Sequence, residues 1–477
     1  MAYNRKYRPE RVLARVTFRA AMPGLKGFLI AVLRSYPYGA AALSMLILAT
    51  VAGLILAFNP PPKKQADLVF WTFAKPHYEA YLQVIGDFEK EHQVKVDMQL
   101  VSNQGLPQRL QAAFQADLDV PDMCEIEISS AGSFFRGPLE HVGFADLTDR
   151  IRSEGLDRKM VASRFAPYMS RGRVFGLPHD VHPVLLGYRR DIFEKEGIDV
   201  NTIETWDDFI EAGKKLTIAD KRYMIEMSDT GSDQLETCLF QREGGYFDPQ
   251  GKVTFDNEIA VETMKWYVPL VARNSKTRIA NVLSSSFGTV IAQGMENTYF
   301  LSVVMPDWRS KIFENDIGKL SGKMALMPLP AVKKGGRRTS TWGGTMLGIT
   351  RKCKDKDLAW KLAKFLYLNE KDLAGRFAGT NILPPVRAAW KEPAFDREYA
   401  YWSNQKLGRI YANFAPEVPA QYTHPFITLA KTKFGESLTA CVQRYTANGE
   451  NGFDEFVRRT LKSKADEVRR QIARNPF

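Results

Sequence analysis

Residues 68–100 read "LVFWTFAKPHYEAYLQVIGDFEKEHQVKVDMQL". The opening six residues are an apolar, β-favouring run. Tyr81, Val84, Ile85 and Phe88 then recur at the i, i+3, i+4, i+7 spacing of one helical face, so a helix is predicted. Val94, Val96, Met98 and Leu100 alternate with polar residues, the period of a half-buried strand. Strand, helix and strand in this order place the two strands parallel, with a right-handed crossover. The class is therefore α/β.

The pattern continues outward from this unit. "PQRLQAAFQAD" (107–117) is predicted helical, and "PDMCEIEI" (121–128) a strand ending in small polar residues. "TWDDFIEAGKKLT" (205–217) is predicted as a helix capped by Thr205, with Asp208 at its third position and Phe209, Ala212 and Leu216 facing inward. "DLAWKLAKFLYL" (357–368) sets Leu358, Leu362, Phe365 and Leu366 at helical spacing, with Asp355 or Asp357 near its start. Beyond 370 the pattern is mostly helical and ends in a basic amphipathic stretch near 453–472. There are no internal repeats and no low-complexity tracts.

With 477 residues the chain is long enough for two or three domains. Its net charge is +12, but residues 1–37 hold eight Lys or Arg against Glu10 alone, leaving only +5 for the rest. A nucleic-acid function is therefore not indicated. Cys124, Cys238, Cys353 and Cys441 lie at least 88 residues apart. No zinc-ribbon or thioredoxin-like spacing exists, and four free, mostly buried thiols are expected.

"YGAAALSMLILATVAGLILAF" (38–58) runs 21 residues without a charge, about the length needed to span a bilayer core. The basic segment 1–37 before it predicts a cytoplasmic N-terminus. An uncleaved signal anchor is expected, with a long cleaved signal as the alternative. The shorter patch 24–33 suits a membrane surface. "NPPPKKQ" begins a stiff linker over 59–66, and the globular part starts near Asp67.

No phosphate-binding loop, dinucleotide fingerprint, serine elbow or H-E-x-x-H motif occurs. Glu125 and Glu127, at i and i+2 of a strand, sit about 7 Å apart and overlap glycosidase spacing. Two acids on one strand seldom flank a bond from opposite sides, so binding is favoured over catalysis. "HDVH" (179–182) gathers His179, Asp180 and His182. The segment reads as extended, and no third His or Cys is near in sequence, so no metal site is predicted.

Six segments in order resemble the bacterial extracellular solute-binding proteins of ABC importers, in the sugar-binding class that includes maltose-binding protein. They are "LVFWTF", "VPDMCEIEISSAGSFFRGPLEHVGFADLTDRI" (120–151), "GRVFGLPHDVHPVLLGYRRDIFEKEGID" with "TWDDFIEAGKKLT", "QREGGYFDPQGKVTFDNEIAVETMKWY" (241–267), "GKMALMPLPAVKKGGRRTSTWGGTMLGITRKCKDKDLAWKLAKFLY" (322–367) and "NILPPVRAAW". Coverage is about residues 66–400. The chain departs from the pattern at "CKDK", where relatives carry S-K, and at His182, where many carry an acid.

The resemblance implies a two-lobed periplasmic-binding-protein fold (type II) with a hinge, preceded by the single N-terminal transmembrane helix. Lobe one is expected over 66–182 plus 322–370, and lobe two over 183–321 plus 371–477, with crossings near 182, 320 and 370. A sugar or oligosaccharide would be captured between the lobes and delivered to permease subunits by an extracytoplasmic, membrane-anchored monomer. A receptor reporting to a sensor, and a glycan-acting enzyme using Glu125 and Glu127, are the alternatives. No cofactor and no metal are implied.

Ligand contacts are expected from Trp71 and His77 beside the first strand, Glu127 and Ser129 after the third, and Asp180 and His182 at the crossing. The glycine loop Trp342, Gly343 and Gly344, the pair Glu243 and Gly244, and Arg387 complete the set. If His182 meets the ligand, binding should weaken below about pH 6.5 as the imidazole charges.

Overall fold

The computed structural model describes residues 39–58 and 66–475. The basic segment 1–37 and all of the expected linker 59–66 except Ala66 lie outside the described residues.

Two compact units are present, 1–65 and 66–477. In the first, Gly39–Phe58 forms one uncharged helix of 20 residues. Its larger side chains, such as Met45, Leu48 and Phe58, stand open. Among the described residues no helix is long and apolar enough to cross a membrane.

The second unit contains two mixed five-stranded sheets. The first runs in the order Val96–Leu100, Leu68–Thr72, Met123–Glu127, Thr345–Ile349, Leu177–Pro178. The expected unit 68–100 closes as a parallel pair, Leu68 opposite Val96 and Thr72 opposite Leu100. Between them lies the helix Lys75–His92, with Pro76 in its first turn and His77, Tyr81, Ile85 and Phe88 buried. Proline suits that position because its missing N–H has no helical partner there. Gln93, at φ 56, ends the helix.

The second sheet runs Met324–Pro328, Val184–Arg189, Ser302–Pro306, Ile225–Glu226, Ala280–Asn281. The helix Trp206–Leu216 packs beside it and opens with the expected reciprocal cap between Thr205 and Asp208. The four cysteines are free and buried.

The lobe boundaries differ from expectation. Met324–Pro328 pairs antiparallel with Val184–Arg189 and so belongs to the second lobe, although 322–370 reads as lobe one. Apolar runs of five residues suit either sheet, and pairing partners alone decide between them. The crossing expected near 320 lies instead near 341–344, where Pro183 bridges Thr341 just before Thr345–Ile349 enters the first sheet. The third crossing is spread out. In the helix Glu370–Thr380, Leu373 packs in a core of the first lobe, while Ala374 and Phe377 pack in one of the second.

Candidate functional site

A cleft of about 670 Å³ opens between the two lobes at the crossings. That volume lies within the range of small-molecule sites. The first lobe contributes Phe73, His77, Glu127 and Ser129, and the second Asp233, Glu236, Phe287, Trp308 and Lys431; the crossings supply Asp180, His182 and Trp342–Thr345. Strand ends place several of these groups, as is usual for ligands on open α/β sheets.

One wall is aromatic. The Phe287 and Trp308 rings stack with centroids 6.2 Å apart and planes 22° off parallel. Trp308 also lies 5.8 Å from Trp342 and donates its ring N–H to the Trp342 carbonyl at 3.0 Å. That bond holds the indole in place, and Arg309 backs the group with its guanidinium 5.5 Å from the Trp342 ring. Such faces cover the apolar C–H patches of a ligand while their edges stay polar.

Acidic groups line the same cleft. Glu127 Oε2 accepts from the Ser129 backbone N–H at 2.9 Å and from its hydroxyl. Lys431 Nζ stands 3.2 Å from Glu236, whose other partner is the Tyr246 hydroxyl at 2.6 Å. Burial pushes the Glu127 and Glu236 carboxyls up, against the opposing pull of Lys431. Burial pulls the Lys431 ammonium down, yet Glu236 and Glu127 outweigh it and keep the group charged.

The "HDVH" segment becomes part of a buried ion cluster at the crossing. His182 is buried, and its φ of 54 turns the chain between lobes. Its Nδ1 lies 2.5 Å from Asp307 Oδ1, and its Nε2 3.1 Å from Asp180 Oδ2. Asp180 also faces Arg164 at 3.5 Å and His179 at 3.4 Å, and Asp307 accepts the Leu383 N–H at 2.8 Å. Burial alone pulls the His182 pKa down, but Asp180 and Asp307 raise it to about 9. His182 is therefore an imidazolium throughout the neutral range. The expected loss of binding below pH 6.5 loses its basis, because no charge appears there.

Glu125 has no part in the cleft. It is fully buried and accepts from Thr72 at 2.5 Å, Tyr81 at 2.6 Å and Tyr367 at 2.5 Å, with His77 Nδ1 at 3.1 Å. Burial pushes its carboxyl up, but His77, His179 and Thr72 bring it down to about 2. The Glu125/Glu127 pair therefore cannot flank a bond in the cleft. His77, Glu125 and His179 do bring ligand atoms within 4.8 Å of one another. The two imidazoles, however, stack at 3.8 Å and 29°. Burial first, then His77, holds the His179 pKa at about 4.

Several expected contacts sit elsewhere. Trp71 is buried, with the Arg109 guanidinium 3.9 Å over its ring. It packs with Leu106 and Leu110 of the helix Leu106–Ala116, while Phe73, on the same face but past the strand end at Thr72, lines the cleft. Glu243 is exposed and paired with Arg337 at 2.9 Å. Gly244 is small because a Cβ would meet the Leu239 and Ile259 side chains. Arg387 is exposed on the short helix Arg387–Lys391, away from the cleft. The glycine loop does reach the cleft: Gly343 has φ 96, and a Cβ on Gly344 would stand 2.5 Å from Arg164 Nη2.

Phe287, Trp308, Asp233, Glu236 and Lys431 were not singled out by sequence. Trp308 had the best signal, following a strand end in "MPDW"; Glu236 and Lys431 read as ordinary helix surface.

Comparison with known proteins places this geometry. Residues 74–372 match the family described as bacterial extracellular solute-binding protein. The chain is 28% identical over 327 residues to the arabinooligosaccharide-binding protein of Bacillus subtilis (strain 168), covering 68% of this chain and 74% of that protein. It is 25% identical over 320 residues to a lactose-binding protein of Rhizobium radiobacter, covering 66% and 73%. Among solved structures, the sugar-binding protein MalE of Xanthomonas citri superposes with a TM-score of 0.68 at 20% identity, over 85% of this chain and 99% of that one. The two-lobed fold and the match over most of the globular unit together make this chain a member of the bacterial extracellular solute-binding protein family.

Proposed function

We propose that the protein captures an oligosaccharide in the interlobe cleft and presents it, in the closed form, to the permease of an ABC importer. The observation that carries this reading is the cleft itself, lined by both the Phe287–Trp308 platform and the Glu127, Asp233 and Glu236 side chains. Stacked rings cover sugar C–H faces, and carboxylates accept from vicinal hydroxyls. The relatives named for arabinooligosaccharides and lactose support the same ligand class. Binding residues are proposed at His77, Glu127, Ser129, Asp180, His182 and Trp342–Gly344, joined by Phe287, Trp308, Glu236 and Lys431. The uncharged helix Gly39–Phe58 is proposed to hold the globular unit at the outer face of the membrane.

The test is a thermal-shift series with arabinotriose, lactose, β-1,6-galactobiose and maltotetraose. A bound sugar at 100 times its dissociation constant adds about 2.7 kcal/mol. If none of the four moves the melting temperature, while the protein is folded, the reading fails. Removing residues 1–58 should release the protein from membranes without changing sugar affinity; retention on membranes would reject the anchor.

A further inference from the structure

We infer that Gly132 is a positioning residue for closure, the point at which the first lobe seats against the second beside the cleft. The inference rests on the two-lobed binding reading and adds a contact that sets how far the lobes approach.

Gly132 follows the short helical turn Ile128–Ala131 that carries Ser129 into the cleft. Its φ of −57 is ordinary helical backbone, so no conformational need calls for glycine. Space does. A Cβ there would stand 2.5 Å from the carbonyl oxygen of His424 and closer still to Thr423 Oγ1. Thr423 and His424 lead into the helix Ile427–Asn448, whose Ile427, Ala430 and Phe434 belong to a core of the second lobe. The glycine thus lets one lobe's backbone lie directly on the other's.

Two further contacts lie along the same ridge. Thr428 Oγ1 donates to the Ser129 carbonyl at 3.4 Å. The Arg136 guanidinium sits 5.0 Å from the Phe426 ring. Lys431, one turn further along the same helix, reaches the cleft acids. The ridge therefore ties the seating of the lobes to the acidic groups that face the ligand.

The test compares Gly132→Ala with Gly86→Ala, a helical control where a Cβ meets nothing within 4 Å. Alanine raises helix propensity at both sites, so local helix weakening cannot explain a difference. In the ligand-free protein, amide exchange at 129–135 and 427–431 should speed up about tenfold in Gly132→Ala while the strand Met123–Glu127 stays protected. With arabinotriose as probe, release should be roughly tenfold faster with the association rate unchanged. Should Gly132→Ala not fold, the exposed Arg136→Ala carries the test, with release roughly two- to fivefold faster. Wild-type exchange and release in the folded variant would overturn the inference. If no sugar binds the wild type, the proposed function fails on its own, and the ligand-free exchange still decides the contact.

Discussion

Replacing His182 with glutamine removes the one cation held between Asp180 and Asp307. The imidazole is buried, 2.5 Å from one carboxylate and 3.1 Å from the other. Its pKa rises from 6.5 to about 9 despite burial. At 1.36 kcal/mol per tenfold change in proton affinity, that gap corresponds to about 3 kcal/mol of stability. Because the folded value is the higher one, this contribution is complete below pH 6.5 and is lost as pH rises through about 9. In the variant, Asp307 remains buried without the imidazolium and Asp180 keeps only Arg164 at 3.5 Å, which costs about 3–5 kcal/mol at neutral pH. Urea unfolding of both proteins between about pH 6 and pH 10 tests this. The wild-type advantage should shrink by about 3 kcal/mol across that range. Parallel curves, with a constant difference, would refute the clamp. Sugar affinity of the wild type should be flat from about pH 5.5 to pH 8 as far as His182 is concerned, since its charge does not change there.

Glu125→Gln leaves the tyrosine, threonine and histidine donors around a neutral amide. With a folded pKa of about 2, the carboxylate contributes stability above its unfolded value and loses it as pH falls through about 2. The variant should lose about 3 kcal/mol at pH 7 and converge with the wild type in acid unfolding; a neutral effect at pH 7 would show the network to be dispensable. Trp308→Ala removes half of the aromatic platform and should weaken sugar binding at least about tenfold by calorimetry. Equal affinity would move the ligand off that wall.

How much was legible depended on the distance over which each feature is decided. The helix Lys75–His92 and the Thr205–Asp208 cap follow from residues within a turn or two of one another, and periodicity sufficed. The strand Leu68–Thr72 was legible too, but the side of the sheet on which Trp71 falls was not. Trp71 and Phe73, two residues apart, share a face, and only the packing of Leu106–Ala116 over Trp71 and the end of the strand at Thr72 leave Phe73 for the cleft. The strand Met324–Pro328 was assigned to the wrong lobe for the same reason: its composition suits either sheet.

By itself, the sequence determined the α/β class, the order of elements, the uncharged stretch that becomes the helix Gly39–Phe58, and the family through six ordered segments. Tertiary structure alone decided what those segments do together. The "HDVH" histidine is charged because Asp180, two residues before it, and Asp307, 125 residues away, both lie against it. Glu125 is silent because Tyr367, 242 residues away, closes its pocket. Lys431 and Trp308 enter the cleft from elements whose own patterns describe only helix surface and strand end. Protonation and exposure are set by neighbours in space, and a linear pattern records only neighbours along the chain.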